Sequence, residues 1–343
     1  MKSREARHTT LTLSEHLDRL PLPIRGVLRA LTIFQRLGMQ YRMRRPVVAV
    51  PLRIISYGNI TVGGTGKTPA VIRRAQEEIA RGERVGVLTR GYFSKRVREP
   101  LALEPEVPWP TVRDSVGDEA AVIRRHVPHA WIIKSRDRIA GAYKALECGI
   151  TSLLLDDGFQ AVRLARDEDI VVINARDPFG NGYLIPRGIL REEKAALRRA
   201  TALCLTHCDE VEDTAPLREE LFALNPDAAV EETVHQPVAI WHPASDELLG
   251  VDALKGQNVT ALCAIGNPAS FQATLEKLGV RVEASRFFRD HATIPPSMFS
   301  RASCVVMTEK DAVRLTQAPD NVFAVVIQLA RFHREEKVIE RNP

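Results

Sequence analysis

Tyr57-Gly58-Asn59-Ile60-Thr61-Val62-Gly63-Gly64-Thr65-Gly66-Lys67-Thr68-Pro69 is the stretch that decides the fold. It follows an apolar run at 52–57 that reads as a strand, and it opens a helical pattern over 68–81. Glycines at such a junction let successive backbone N–H groups converge on phosphate oxygens, and the helix N-terminus adds its positive end. Gly63, Gly64, Thr65, Gly66, Lys67 and Thr68 therefore form a candidate nucleotide cradle. Lys67 is expected on the β- and γ-phosphates, and the Thr68 hydroxyl on Mg²⁺. The strict pattern places a glycine five residues before Gly66, where Thr61 stands, so Gly63 and Gly64 must supply the flexibility. A glycine-rich βα turn with an incidental lysine is the bland alternative.

Outward from this loop, apolar runs alternate with helical patterns, the mark of a parallel sheet with crossover helices. Strands are expected at 84–89, 130–134, 152–155, 170–174 and 202–206, with helices at 119–125, 136–148 and 217–224. Residues 229–254 are polar and β-like and read as a connector. A second unit follows, with strands at 259–265, 281–286, 304–307 and 322–327 and a helix at 268–278. The fold class is α/β, a P-loop NTPase-like parallel sheet with flanking helices plus a smaller C-terminal α/β domain. The expected divisions are an N-terminal helical region (1–45), a P-loop domain (46–228), a β linker (229–258) and a C-terminal domain (259–343).

With 343 residues, 45% hydrophobic and 27% charged, the chain has material for two globular cores. Its net charge of +5 favours anionic partners such as nucleotides, nucleic acid or acidic lipid. Part of the excess is local, because Arg25, Arg29, Arg36, Arg42, Arg44 and Arg45 lie close together in the sequence. Five scattered cysteines suit a reducing compartment. Cys204 and Cys208 have no second pair at zinc spacing and read as buried small residues. Residues 1–15 lack the apolar core of a signal peptide, and no run of about 20 apolar residues suggests a membrane span. Between 24 and 37, Ile24, Val27, Leu28, Leu31 and Phe34 fall on one helical stripe flanked by Arg25, Arg29 and Arg36. Such a helix either packs on its own domain or lies in a membrane interface with its arginines on lipid phosphates. Gly38 is the expected stop.

The run Leu153-Leu154-Leu155 ends in Asp156-Asp157-Gly158. A carboxylate at the end of a buried strand beside a P-loop is where Mg²⁺ is held, and two adjacent carboxylates near a triphosphate need a metal to offset their repulsion. Asp118, ahead of a helix, is a candidate either to cap it or to accept a proton from an acceptor hydroxyl. His291, in Asp290-His291, is a second titratable candidate able to orient such a carboxylate. Arg136, Arg138, Arg163, Arg187 and Arg191 are candidates to neutralise a transferring phosphoryl group.

Taken in order, these segments resemble the tetraacyldisaccharide 4'-kinase family. The likeness is carried by 58–69, Leu88-Thr89-Arg90-Gly91-Tyr92, Val116-Gly117-Asp118-Glu119-Ala120, Ser135-Arg136-Asp137-Arg138 and Asp156-Asp157-Gly158-Phe159-Gln160. It continues through Arg163-Leu164-Ala165-Arg166-Asp167, Phe179-Gly180-Asn181-Gly182, Leu190-Arg191-Glu192, Ala264-Ile265-Gly266-Asn267-Pro268, Asp290-His291 and Met307-Thr308-Glu309-Lys310-Asp311-Ala312-Val313. The resemblance implies transfer of the ATP γ-phosphate to the 4'-hydroxyl of a membrane-borne tetraacyldisaccharide 1-phosphate, with ATP and Mg²⁺ as cofactors. It implies Asp118 as the base partnered by His291, and phosphate or metal roles for Lys67, Thr68, Arg138, Asp156, Asp157 and Gln160. Arg191 and Asn181 join Gln160 as phosphate or substrate candidates. It also implies peripheral or monotopic association with the cytoplasmic face of the bacterial inner membrane, with no nucleic-acid partner and no obligate protein partner.

The chain departs from the family pattern at Phe93-Ser94, Ala161, Pro186-Arg187-Gly188-Ile189 and Ala292, all of which bear on the acceptor side. On the residues alone, a P-loop ATPase or GTPase switch and a kinase of a soluble small molecule stay open. The guanine-reading Asn-Lys-x-Asp motif is absent, and Thr308-Glu309-Lys310-Asp311 lacks its spacing.

Overall fold

Strand β1 (Arg53–Gly58) lies at the middle of the nucleotide-loop half of the sheet and feeds α3 (Lys67–Ala80) through the glycine-rich loop. The computed structural model describes residues 13–91, 99–266 and 268–333. Tyr92, Phe93, Ser94 and Asn267 of the quoted segments, with residues 1–12 and 334–343, lie outside the described residues. Before β1 come α1 (Leu13–Asp18) and α2 (Leu22–Met43). After α3 the order is β2 (Val85–Thr89), β3 (Leu101–Leu103), α4 (Trp109–Ser115), α5 (Asp118–His126), β4 (Trp131–Lys134), α6 (Arg138–Glu147), β5 (Ser152–Asp156) and β6 (Glu168–Asn174). Then follow β7 (Ala202–Thr206), α7 (Ala215–Leu224), β8 (Ala229–His242), β9 (Glu247–Gly250), β10 (Asn258–Cys263), α8 (Pro268–Lys277), β11 (Arg281–Phe287), β12 (Val305–Thr308), α9 (Glu309–Ala312) and β13 (Val322–Arg331).

The strands form one sheet in the order β11-β10-β12-β13-β8-β7-β6-β1-β5-β2-β4-β3, with β9 hairpinned onto β8. Most neighbours are parallel; β3 on β4, β13 on β8 and β9 on β8 are antiparallel. Parallel pairing requires crossover connections, which α3 and α6 supply, and it buries both sheet faces. Hence β2 and β5 are buried along their whole length and read as unbroken apolar runs. The 14-residue β8 joins the two halves. Its start pairs parallel with β7 (Ala202↔Ala229), and its later residues pair antiparallel with β13 (Val325↔Ile240). The segment that read as a connector is thus the longest strand. Its burial is mixed along its length, so its composition lacks the apolar signature of a central strand.

Two sequence expectations change, and of the two readings of the α2 stripe one is decided against. α1, β3, α4 and α9 were not foreseen, being six, three, seven and four residues long. Gly38 does not stop the N-terminal helix: it lacks the left-handed φ of a C-terminal glycine, and α2 continues to Met43. The apolar stripe on α2 does not pack on the protein. Leu22, Val27 and Phe34 are 76%, 60% and 69% exposed, and Ile24, Leu31 and Leu37 are exposed beside them. The helix docks through another side. Met39 is buried, Gln35 Nε2 donates to the Arg191 carbonyl at 2.7 Å, and Arg36 pairs with Glu193. Among the described residues no helix is long and apolar enough to cross a membrane.

Gly58, at the end of β1, is forced by packing. A Cβ there would stand 2.5 Å from both the Cβ and the backbone nitrogen of Phe159, itself fully buried. Gly58→Ala is expected to cost about 1–3 kcal/mol through overpacking. It should lower the thermal midpoint in calorimetry and weaken nucleotide binding with it; an unchanged midpoint would show that Phe159 can yield.

Candidate active site

The loop after β1 curls because Gly63 and Gly66 adopt φ of 111° and 81°, conformations costly to residues with a Cβ. Gly66 precedes α3, whose first turn leaves unpaired N–H groups as anion donors. Thr206, at the end of β7, donates its hydroxyl to the Thr65 carbonyl at 3.0 Å and ties the loop to the sheet. Nε2 of His235 packs where a Gly66 Cβ would be, at 2.6 Å.

The loop forms one wall of a cleft of about 390 Å³, within the ordinary range for ligand sites. Gly63, Gly64, Thr65, Gly66, Lys67, Thr68, Arg138, Asp156, Asp157 and Arg191 face it from the nucleotide-loop half. Ile265, Gly266, Ser270, His291 and Lys310 face it from the other. Ligands of open α/β sheets bind at this edge, beyond the carboxyl ends of parallel strands.

The register Tyr57↔Asp156 between β1 and β5 brings the paired carboxylates beside the loop. Asp157 takes φ 58°, and its two oxygens each accept from Arg191 Nη1 at 2.9 Å, with Lys67 Nζ 3.6 Å from Oδ1. Burial raises the Asp157 carboxyl, but Lys67 and Arg191 together outweigh it and hold the group below the usual carboxylate range. Asp156 goes the other way. Burial, with the charges of Glu119 and Asp157 adding to it, pushes its carboxyl up to about 7. Such crowding of hard oxygen donors is what a divalent cation offsets, so Asp156, Asp157 and the Thr68 hydroxyl fit Mg²⁺, which accepts one or two carboxylates and completes its shell with phosphate and water.

Arg138 opens α6 behind its cap Asp137, which accepts from the Ile139 and Ala140 N–H groups. The buried guanidinium donates to the carbonyls of Leu88 (3.3 Å), Ser135 (3.4 Å) and Asp156 (2.5 Å), so it also rivets strand ends together. Gln160 stands behind the loop, donating to the Asn59 carbonyl at 2.9 Å and to Glu192 at 3.0 Å. Asn181 lies outside the cleft, donating to Asp18 at the end of α1 (3.1 Å) and to the Arg187 carbonyl (3.2 Å).

Asp118 is the first residue of α5, after Gly117 in the capping position, and its Oδ1 accepts from the Glu119 N–H at 2.9 Å. His291 reaches it from the turn after β11, with Nδ1 3.3 Å from Asp118 Oδ2. The two halves therefore meet at this pair. Burial raises the Asp118 carboxyl, but Arg314, Lys310 and His291 outweigh it and keep it low.

Sequence reasoning passed over several contributors. Arg314, one residue past the segment ending at Val313, holds Asp118 Oδ2 through Nε at 2.7 Å and Nη2 at 2.5 Å. Glu119 pairs with Lys310 at 3.0 Å. His207 and His235 stack edge to face with centroids 4.3 Å apart, and burial drives His235 down to about 3, a neutral ring at physiological pH. Glu119, adjacent to Asp118, and Lys310, inside the quoted segment 307–313, carried a signal in the sequence. The other contacts arise between segments remote in the chain.

Comparison with known proteins bears on this geometry. Residues 17–341 match the model of the tetraacyldisaccharide-1-P 4'-kinase family. The chain is 40% identical over 287 residues to the tetraacyldisaccharide 4'-kinase of Anaeromyxobacter dehalogenans (strain 2CP-C), covering 80% of this chain and 75% of that one. It is 34% identical over 331 residues to that of Syntrophus aciditrophicus, covering 87% and 86%. The crystal structure of LpxK from Aquifex aeolicus in complex with ATP superposes with a TM-score of 0.70 at 28% identity, covering 91% of this chain and 94% of that one.

Because Asp156 titrates far above its unfolded value of about 3.9, the unfolded chain sheds that proton first, and stability falls as pH rises from about 4 to 7. Asp156→Asn should therefore melt higher than the parent without ligand, by a margin that widens between pH 5 and pH 8. A margin constant with pH would contradict the raised carboxyl.

Proposed function

The chain belongs to the tetraacyldisaccharide-1-P 4'-kinase family, and we propose that its cleft transfers the γ-phosphate of ATP to the 4'-hydroxyl of a tetraacyldisaccharide 1-phosphate. The product is the 1,4'-bisphosphate of lipid A assembly. The observation that carries the reading is the convergence of the Gly66-Lys67-Thr68 cradle with Asp156 and Asp157, with the Asp118–His291 pair alongside, between two halves of one sheet.

In this reading residues 46–228 hold the nucleotide, residues 259–343 bring His291, and residues 229–258 link them. The loop N–H groups and Lys67 grip the β- and γ-phosphates. Thr68, Asp156 and Asp157 would hold Mg²⁺, which supplies charge to offset the triphosphate's own. The 4'-oxygen attacks Pγ in line, the bond from Pγ to the bridging β-oxygen breaks, and ADP leaves with those electrons. Asp118 takes the hydroxyl proton, and His291 orients its carboxylate. Because phosphoryl transfer passes through a loose transition state, positioning and charge neutralisation contribute more than base strength. Arg138 and Arg191 serve the former through their fixed contacts with Asp156 and Asp157.

The acceptor's acyl chains remain in a bilayer, and the outward apolar face of α2 suits that interface, with Arg25 and Arg29 at its flank. This supports peripheral attachment at the cytoplasmic face of the inner membrane. Gln160, through Asn59 and Glu192, supports the loop, and Asn181 belongs to the acceptor-side region next to α1.

Incubation with γ-labelled ATP, Mg²⁺ and tetraacyldisaccharide 1-phosphate should move label into lipid. Lys67→Ala should cut kcat by about 10²-fold or more while the fold, checked by circular dichroism, is kept; label released only as inorganic phosphate would refute the kinase reading. Separately, Leu31→Glu with Phe34→Glu should abolish co-sedimentation with anionic vesicles without altering ATP binding. Retained sedimentation would remove α2 from the membrane role.

A further inference from the structure

Arg314 occupies a position that no step above uses. It lies just past α9, and its guanidinium is anchored before it reaches the site: Nη1 donates to Asp311 Oδ1 at 3.0 Å and to the Ala264 carbonyl at 3.4 Å. Asp311 is itself fixed, accepting from the Ala264 N–H at 3.1 Å and from the Thr308 hydroxyl at 2.6 Å. The fork is therefore aimed before any substrate arrives. Its free edge takes Asp118 Oδ2 from two nitrogens, Nε at 2.7 Å and Nη2 at 2.5 Å, and Nη2 also lies 3.1 Å from His291 Nδ1.

A guanidinium can only donate, and Nδ1 also lies 3.3 Å from Asp118 Oδ2, so the fork, the imidazole edge and the carboxylate meet at one point. Nε2 in turn faces Asp290 Oδ1 at 3.8 Å and Lys310 Nζ at 3.5 Å. The cation that partners the carboxylate in this arrangement is Arg314.

We propose that Arg314 is a positioning residue for phosphoryl transfer: its anchored fork keeps Asp118 ionised with one oxygen fixed in place. The inference rests on the reading of Asp118 as the proton acceptor. Its physical basis is that an opposite charge in direct contact favours the ionised carboxyl, and that a planar fork held from behind loses little freedom on pairing. The other charged groups facing Asp118 are Lys310 and His291 from the same half of the sheet and its own neighbour Glu119. Lys310 is paired to Glu119, so it is a weaker substitute for the lost fork.

The test uses the full chain with carbon-13 in its aspartate carboxyls, and the Asp118 resonance is identified as the one lost in Asp118→Asn. In Arg314→Gln its midpoint should move up by about one to three pH units, and the acid limb of kcat should move with it, the loss in kcat exceeding any change in KM for ATP. Arg314→Lys, which keeps the charge without the fork, should fall between and serves as the reporter if the glutamine variant does not fold. A midpoint that stays in place while activity falls equally at all pH would assign Arg314 a merely structural part and overturn the proposal. Asp118→Asn separates the two ideas: parent-level turnover in it would sink the proton-acceptor reading, whereas inactivity with an unmoved midpoint in the Arg314 variants would sink only this one.

Discussion

Everything in the cleft depends on the parallel register of β1 with β5, in which Tyr57 lies beside Asp156. Parallel strands send their carboxyl ends to one edge, so the glycine-rich loop after β1 and the acidic pair after β5 emerge together. The register is locked from several sides. Phe159 packs against Gly58 with no room for a Cβ, Arg138 ties the ends of β2 and β5 through their carbonyls, and Thr206 holds the loop from β7. Because these contacts are made by buried groups in low dielectric, none is readily exchanged for water.

The same scaffold sets two neighbouring carboxyls against each other. Asp156 is buried near Glu119 and Asp157 and is pushed up, whereas Asp157, clasped by Arg191 and Lys67, is held down. Environments that drive like groups apart in this way divide labour between them. Asp118, on the nucleotide-loop half, is kept low by Arg314, Lys310 and His291 from the other half of the sheet. A charge on one half that is satisfied by the other links electrostatics to the relative placement of the halves, with β8 as the covalent and hydrogen-bonded tie between them.

Helix α2 inverts the usual logic of an amphipathic surface helix. Its apolar stripe faces outward, and contact with the protein is made on another side by Gln35, Met39 and Arg36. An apolar stripe left in water is costly, so this face calls for a partner of similar character. The contact through Gln35 ends on the carbonyl of Arg191, whose side chain holds Asp157, so the helix and the phosphate site share a neighbour.

What the sequence determined by itself was local or periodic. The glycine-lysine-threonine loop, the apolar central strands and the Asp156-Asp157 pair were legible because each depends on neighbours in the chain or on burial of a whole strand. Elements that are short or mixed in burial were not: β3, α4 and α9 are too brief for a period to show, and β8 alternates environments along its length. The end of α2 was misplaced because a glycine permits a left-handed turn without requiring one, and Gly38 stays helical. Only the tertiary structure could decide that the apolar stripe of α2 faces out and that Arg314 clamps the Asp118 carboxylate beside His291. The reason is physical: hydrogen bonds and charge pairs between remote segments leave no spacing rule in the sequence, since their geometry is set by how the sheet brings its two halves together.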